Sequence, residues 1–268
     1  MLTKEELQVF IDENWREEVQ AHGFSPYVRN ANHWYKIVND EALLSLIFFS
    51  PDARNMDLRF GMTLLCDRPS PIPFQRKSLH YLENQDGTTL FTLRRELYAY
   101  NKSHNLGLPL DRFIYTDDMF SEFFYPITKW YYRTAFDVLI WPTFDQIDNA
   151  QSCYDRYREL AAMSCPPSDV ETTRSFAECA YLGMFEVCKR MVDEGMREFL
   201  ERYWQDKNWR FLDGVKRAED NKAKRHYEEL RAKVESVASP EAFEAYRRYL
   251  RDLTEKENLR IRKLLHTE

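Results

Sequence analysis

The stretch NHWYKIVNDEALLSLIFF, residues 32–49, divides at Asn39-Asp40 into two apolar and aromatic segments. Asn and Asp tolerate the left-handed backbone of a tight turn, so the pair predicts a hairpin between two antiparallel strands. Successive side chains of a strand point to opposite faces, and in the second segment both sets of side chains are apolar. The strand should therefore be covered twice. We expect the first helix on one face and an aromatic helix around residues 120–130 on the other.

Two further stretches extend the predicted sheet. Residues 56–66, MDLRFGMTLLC, alternate between large apolar side chains and small or polar ones, at the period of a strand. Residues 78–93 read as another hairpin with its turn at Asp86-Gly87. Because the connections are short, neighbouring strands should pair antiparallel. The sequence therefore predicts a sheet of four or five antiparallel strands.

A first helix is predicted over about residues 4–21. Thr3 and Glu6 have the spacing of a capping box, and apolar residues then recur at helical spacing as far as Val19. Gly23 stands where a helix commonly ends in the left-handed conformation. We expect this helix to pack on one face of the sheet.

The second half of the chain is predicted to be mostly helical. The segment WPTF at 141–144 should interrupt the helical pattern, and Gly183 should allow a turn between two short helices. Ser239-Pro240 is a strong helix start, since proline suits the first helical position. The fold class is therefore α+β, ending in a long helical hairpin. We predict three regions: an α+β sheet region over 1–112, a helical region packed on it over 113–205, and a charged helical hairpin over 206–268.

Composition and charge exclude several classes of function. Hydrophobic residues make up 44% of the chain and aromatic residues 15%, which indicates a folded protein. The formal charge is −6, so the whole molecule does not attract nucleic acid, and a nucleic-acid partner is disfavoured. The five cysteines form no CxxC, which predicts free thiols in a reducing compartment. Without a long apolar run or a signal-peptide core, we expect a cytoplasmic protein with no membrane partner.

No local catalytic, metal or nucleotide motif is present. The chain lacks HExxH, HxxxH, GxxxxGK[ST], GxGxxG and GxSxG, so we expect no cofactor and no metal. An enzymatic site would have to be assembled from distant residues, and the first candidates are His33, Asp111 and Arg94. His33 could be a base among aromatic side chains, Asp111 belongs to an acidic group, and Arg94 to a basic one. Each also has a purely structural interpretation, as a strand-end or solvated surface residue.

Two resemblances to known families are visible. The order of GF at 23–24, HWYK at 33–36, FGMTL at 60–64 and PTFDQID at 142–148 resembles an uncharacterised bacterial family, a domain of unknown function. That resemblance implies an α+β fold and transfers no catalytic residue. The segment near 175–195 looks like a single tetratricopeptide helical hairpin, with Gly183, Phe185 and Cys188 in the turn positions. Cys188 stands where alanine is usual, and no second copy follows at a 34-residue period.

These features favour a non-enzymatic protein that binds another protein. The grounds are the missing motifs, the helical hairpin and the high aromatic content. By analogy with small acidic α+β proteins, an immunity or regulatory role is one concrete form. The alternative is a hydrolase or nucleic-acid-processing enzyme with a site built from residues far apart in the chain.

Overall fold

The computed structural model confirms the α+β class. It describes residues 4–27, 30–52, 55–66, 129, 132–133, 135–164, 175–197 and 227–265. They fall into two compact units, one within Met1–Thr173 and Thr254–Glu268 and the other within Arg174–Leu253. The predicted hairpin at 78–93 lies outside the described residues, and the three predicted regions stay a prediction.

The described residues of the first unit include a four-stranded antiparallel sheet. The strands follow chain order across the sheet, so each pairs with its neighbour in sequence. Their bounds are β1 Ser25–Tyr27, β2 Asn30–Val38, β3 Ala42–Asp52 and β4 Asn55–Leu64. This meander confirms the predicted antiparallel sheet.

The turn between β2 and β3 forms where the sequence predicted it. Asn39 and Asp40 have φ of 47° and 60°, the left-handed region that Asn and Asp tolerate best. The Glu41 backbone N–H donates to the carbonyl oxygen of Val38 at 3.0 Å, which closes the turn. The hairpin is therefore fixed by local backbone chemistry.

The pairing of the strands assigns the side chains to two faces. Trp34, Leu46 and Phe60 lie opposite one another across β2, β3 and β4, on what we call the first face. Tyr35 lies opposite Ser45 on the second face, because neighbouring residues of a strand point to opposite sides.

The first helix is broken into two at Trp15. α1 is Lys4–Asn14 and α2 is Arg16–Ala21, and Trp15 has a non-helical φ of −133°. The Asn14 side-chain amide donates to the carbonyl oxygen of Phe10 at 2.8 Å, a local bond that competes with helix geometry. The continuous helix predicted over about 4–21 is thus interrupted once.

Helical residues and aromatic rings cover the first face of the sheet. The guanidinium of Arg16 lies 5.9 Å above the Trp34 ring. Phe48 contacts Tyr132 and Phe136, with ring centroids 5.6 and 6.4 Å apart. Trp15 contacts the same Phe136 ring at 5.1 Å. The first helical segment and this later aromatic segment therefore share one face.

The last helix covers the second face. Ile261 belongs to a buried cluster with Tyr27, Tyr35, Leu43, Ile47 and Leu65. Near this cluster, Arg262 pairs with Asp40 of the β2–β3 turn. β3 is covered on both faces, as predicted, but the place of the expected aromatic helix stays a prediction. Residues 120–130 lie outside the described residues except for Lys129, and the second face is covered by a helix from the end of the chain.

The remaining helices of the first unit follow a π-helical segment at Phe136–Ile140. α3 is Trp141–Phe144 and α4 is Ala150–Ser164. The expectation that WPTF would interrupt the helical pattern was wrong. Pro142 stands in the first turn of α3, directly after the π-helical segment, and the backbone stays helical from one to the other.

In the second unit, the part of the chain that the structure describes has a short helical pair and two longer helical segments. α5 is Phe176–Tyr181 and α6 is Phe185–Met191, followed by a π-helical segment at Val192–Met196. α7 covers 227–236 of the described residues, and α8 is Pro240–Leu265. Residues 254–265 of α8 belong to the first unit.

The two predicted helix boundaries in the second unit are confirmed. Gly183 adopts a φ of +80° between α5 and α6. Its N–H donates to Ala180, and that of Met184 donates to Cys179, the paired bonds of a Schellman motif. At the start of α8, the Ser239 hydroxyl accepts from the Ala242 N–H at 3.2 Å.

Candidate functional site

A cluster of polar side chains centres on Glu18 in the first unit. Glu18 lies on α2, while Arg133 and Trp141 come from the later helical segment. Arg133 Nη1 donates to Glu18 Oε1 at 3.0 Å, and Arg133 Nη2 donates to Oε2. Trp141 Nε1 also donates to Oε1, at 2.7 Å. The carboxylate thus receives three hydrogen bonds from residues more than a hundred positions away.

The charge of Glu18 is stabilised by these partners. Burial by itself would raise its pKa, but the hydrogen bonds from Arg133 and Trp141 and the charge of Arg133 hold the pKa below its ordinary value. The hydrogen bond from Arg133 outweighs desolvation on the arginine side too, and the pKa of Arg133 is raised. Arg133 also contacts the Trp15 ring, 4.8 Å from its centroid, and pairs with Asp137. Glu18 is therefore a fixed anion.

A column of three stacked rings runs beside this ion pair. Phe136 stacks on Trp141 at 4.7 Å, and Trp141 stacks on His22 at 3.8 Å with the planes 4° apart. Asp145 lies one helical turn after Trp141, and its N–H donates to the Trp141 carbonyl. This spacing brings Asp145 Oδ1 to 3.8 Å from His22 Nδ1.

Glu18 and the His22–Asp145 pair differ in the chemistry that they can perform. Glu18 cannot accept a proton from a substrate without losing its bonds to Arg133 and Trp141, so it is unsuited to general base catalysis. His22 and Asp145 form an imidazole–carboxylate pair with partly exposed side chains. Across the described ranges, no group of three or more histidine, cysteine, aspartate or glutamate side chains is arranged to hold a metal ion.

Of the three predicted site residues, the structure describes His33 alone. Its Nδ1 is hydrogen-bonded to the hydroxyl of Tyr35 at 3.2 Å, and Tyr35 is fully buried. His33 is half-buried on β2, opposite Ile47 of the second face. This contact ties the imidazole to a core tyrosine. Arg94 and Asp111 lie outside the described residues, so whether they approach His33 stays a prediction.

A second candidate surface lies on α8 within the second unit. The Tyr249 side chain is 57% exposed, the largest value among the exposed large hydrophobic residues that the structure describes. Its ring lies 5.9 Å from that of Tyr246, which in turn contacts Phe176 at 5.9 Å. Arg248 and Arg251 are exposed nearby on the same helix. We call Tyr249 and these neighbours the Tyr249 surface.

The described cysteines are unsuited to nucleophilic chemistry. Four cysteines are buried: Cys66, Cys153, Cys179 and Cys188. Burial, with a smaller effect of the Cys179 thiol, raises the pKa of Cys188 to about 12, so it stays protonated at neutral pH. Cys165 lies outside the described residues.

The Glu18 cluster could not be recognised in the sequence. Glu18 and His22 lie in a charged helix whose acidic residues are ordinary surface residues by pattern, and Trp141 falls in the segment expected to interrupt a helix. The two parts of the cluster, at 18–22 and 133–145, are too far apart in sequence for a local pattern to connect them. The high frequency of aromatic residues around 130–144 indicated only that this segment packs in the core.

No family model matches the chain, and no curated protein or solved structure is significantly similar to it. Among the described helices, none is both long enough and apolar enough to cross a membrane.

Proposed function

We propose that this protein is a non-enzymatic interaction module that binds another protein through the Tyr249 surface. The observation that carries the proposal is the exposed Tyr249 ring, supported from below by Tyr246 and Phe176. Tyrosine and arginine are enriched among the residues that dominate the energetics of protein interfaces. Tyrosine offers a large contact area with only two side-chain torsions, and arginine offers a planar group with several hydrogen-bond donors. An immunity or regulatory role remains the concrete form we favour, by analogy.

The proposal is tested by affinity purification from the native host with quantitative mass spectrometry. We expect a protein that is retained by the wild-type chain and reduced at least about ten-fold by Tyr249→Ser, as for a hot-spot residue. Val9→Ser is the matched control, because Val9 is also a large exposed side chain, 54% exposed on α1. Equal retention by all three chains, or no retained protein, would contradict the proposal.

A hydrolase or nucleic-acid-processing enzyme is the second candidate function. It is favoured by His22 and Asp145, which are far apart in sequence and adjacent in space. An imidazole held beside a carboxylate is a common general base. If the chain hydrolyses ester, phosphodiester or glycosidic substrates, His22→Gln should abolish that activity while His33→Gln tests the other candidate histidine. Activity that survives both substitutions would exclude both sites.

A further inference from the structure

The ring column of Phe136, Trp141 and His22 ends in an imidazole that is partly open to solvent. Trp141 covers one face of the His22 ring at 3.8 Å with nearly parallel planes. The His22 side chain is still 31% exposed, and this exposed area lies away from the face that Trp141 covers. An open planar face held firmly from behind is a platform on which a second planar group can stack.

One carboxylate lies close to the His22 ring. Asp145 Oδ1 lies 3.8 Å from His22 Nδ1, and the Asp145 side chain is 63% exposed. The nearby Glu18 charge is already compensated by Arg133. The Asp145 carboxylate attracts a cation, while the Lys36 side chain beside Gly23 contributes one positive charge nearby.

We propose that the open face of His22 and the carboxylate of Asp145 together bind an arginine side chain of a partner protein. A guanidinium is planar, so it can stack on the imidazole while its N–H groups donate to the Asp145 carboxylate. A lysine ammonium can pair with the Asp145 carboxylate, but it has no planar group that could stack on the imidazole. This binding site does not depend on the Tyr249 surface, which lies in the other unit.

The test follows the ring signals of His22 in the full-length protein labelled with ¹³C-histidine. The His22 signals are assigned by their absence in His22→Gln. An acetylated and amidated peptide with three arginines separated by glycines should shift these signals and saturate. The matched lysine peptide should bind about five-fold more weakly, because it loses the stacking contribution.

Three variants separate the contribution of the Asp145 charge from that of stacking on the His22 ring. Asp145→Asn should weaken the arginine peptide about three- to five-fold, as expected for an exposed ion pair. Glu5→Gln removes one exposed charge from the start of α1 and should change nothing. His22→Leu keeps an apolar contact with Trp141 and removes the planar face, so the preference for arginine over lysine should disappear. Since this variant has no His22 signals, its binding of the two peptides is compared with that of the wild-type protein by isothermal titration calorimetry. Circular dichroism establishes that each variant is folded before its binding is compared.

The proposal is overturned if the arginine peptide leaves the His22 signals unchanged, or if the arginine and lysine peptides bind equally. It is also overturned if Asp145→Asn and Glu5→Gln weaken binding equally, which would indicate general attraction between charges. A single-stranded oligonucleotide that shifts the His22 signals more strongly than the arginine peptide would assign the platform to nucleobases instead.

Discussion

At the residue scale, Glu18 connects two parts of the chain that are far apart in sequence. Its two carboxylate oxygens are shared between the guanidinium of Arg133 and the indole N–H of Trp141. An indole N–H that loses its acceptor in a largely buried setting is costly, and so is a carboxylate that loses its cation. Glu18 therefore stabilises α2 against the later helical segment more than an isolated surface ion pair would.

Replacing Glu18 by alanine should lower the free energy of unfolding by about 1–2 kcal/mol. We expect no larger loss of unfolding free energy, because Arg133 is nearly half exposed and its charge is screened by water. Glu17→Ala is the control, since the neighbouring Glu17 is exposed and should change stability by less than about 0.5 kcal/mol. Urea unfolding followed by tryptophan fluorescence measures both. Equal effects in the two variants would contradict the role given to Glu18.

The same residue predicts a dependence of stability on pH. Because the pKa of Glu18 is lower in the folded state, its contribution is complete above the ordinary value of 4.5 and is lost as the pH falls through the folded-state pKa. The difference in unfolding free energy between the wild-type protein and Glu18→Gln should be constant from pH 6 to 8, about 1 kcal/mol, and shrink below pH 4.5. Urea unfolding at several pH values measures it. A difference that grows on acidification would show that the pKa shift has the opposite sign.

At the element scale, the turn between α5 and α6 depends on Gly183. Its φ of +80° is strained for any residue with a side chain. A Cβ atom there would also lie 3.1 Å from the guanidinium of Arg247. Arg247 donates to the carbonyl oxygen of Tyr181 at 3.3 Å, beside the same turn. The turn and its arginine thus form one local unit.

Gly183→Ala should destabilise the α5–α6 pair by about 1–2 kcal/mol. Gly183→Asn should cost less, because asparagine tolerates the left-handed conformation better than alanine. Hydrogen exchange measured by mass spectrometry on peptides covering 176–191 resolves the effect in this segment. Faster exchange in Gly183→Ala than in Gly183→Asn is the expected order, and the reverse order would mean that space beside Arg247 matters more than the backbone.

Local chemistry explains which elements could be predicted from the sequence. The turns at Asn39-Asp40 and Gly183 and the helix start at Ser239-Pro240 depend on residues within a few positions, and all three are confirmed. The pairing of Glu18 with Arg133 spans 115 positions and follows from how the helices pack. Periodicity shows that a face is buried but not which distant segment buries it. For this reason the covering of the second face by Ile261 was missed.

At the scale of the whole molecule, the end of the chain helps to complete the core of its beginning. Ile261 on α8 packs with Tyr35, Leu43 and Ile47 of the sheet, and it is 2% exposed. These contacts join residues more than two hundred positions apart. The sheet therefore cannot reach its final burial until the last residues of α8 are available.

Ile261→Ala should lower the unfolding free energy of the first unit by about 2–4 kcal/mol through the lost burial and the cavity left behind. Leu259→Ala is the matched control on the same helix, because Leu259 is 54% exposed and should change stability by less than about 0.5 kcal/mol. Hydrogen exchange in β2 and β3 should rise in the first variant alone. Unchanged exchange in both would mean that the second face does not need the last helix.

The buried cysteines give each unit a chemical reporter of its own opening. Cys66 and Cys153 belong to the first unit, and Cys179 and Cys188 belong to the second. A buried thiol reacts with an alkylating reagent only when its surroundings open. Burial holds the pKa of Cys188 at about 12, so this thiol stays protonated until its surroundings open. Alkylation rates at each site, read by mass spectrometry on the native chain, therefore time the opening of the two units separately, with no probe introduced by mutation.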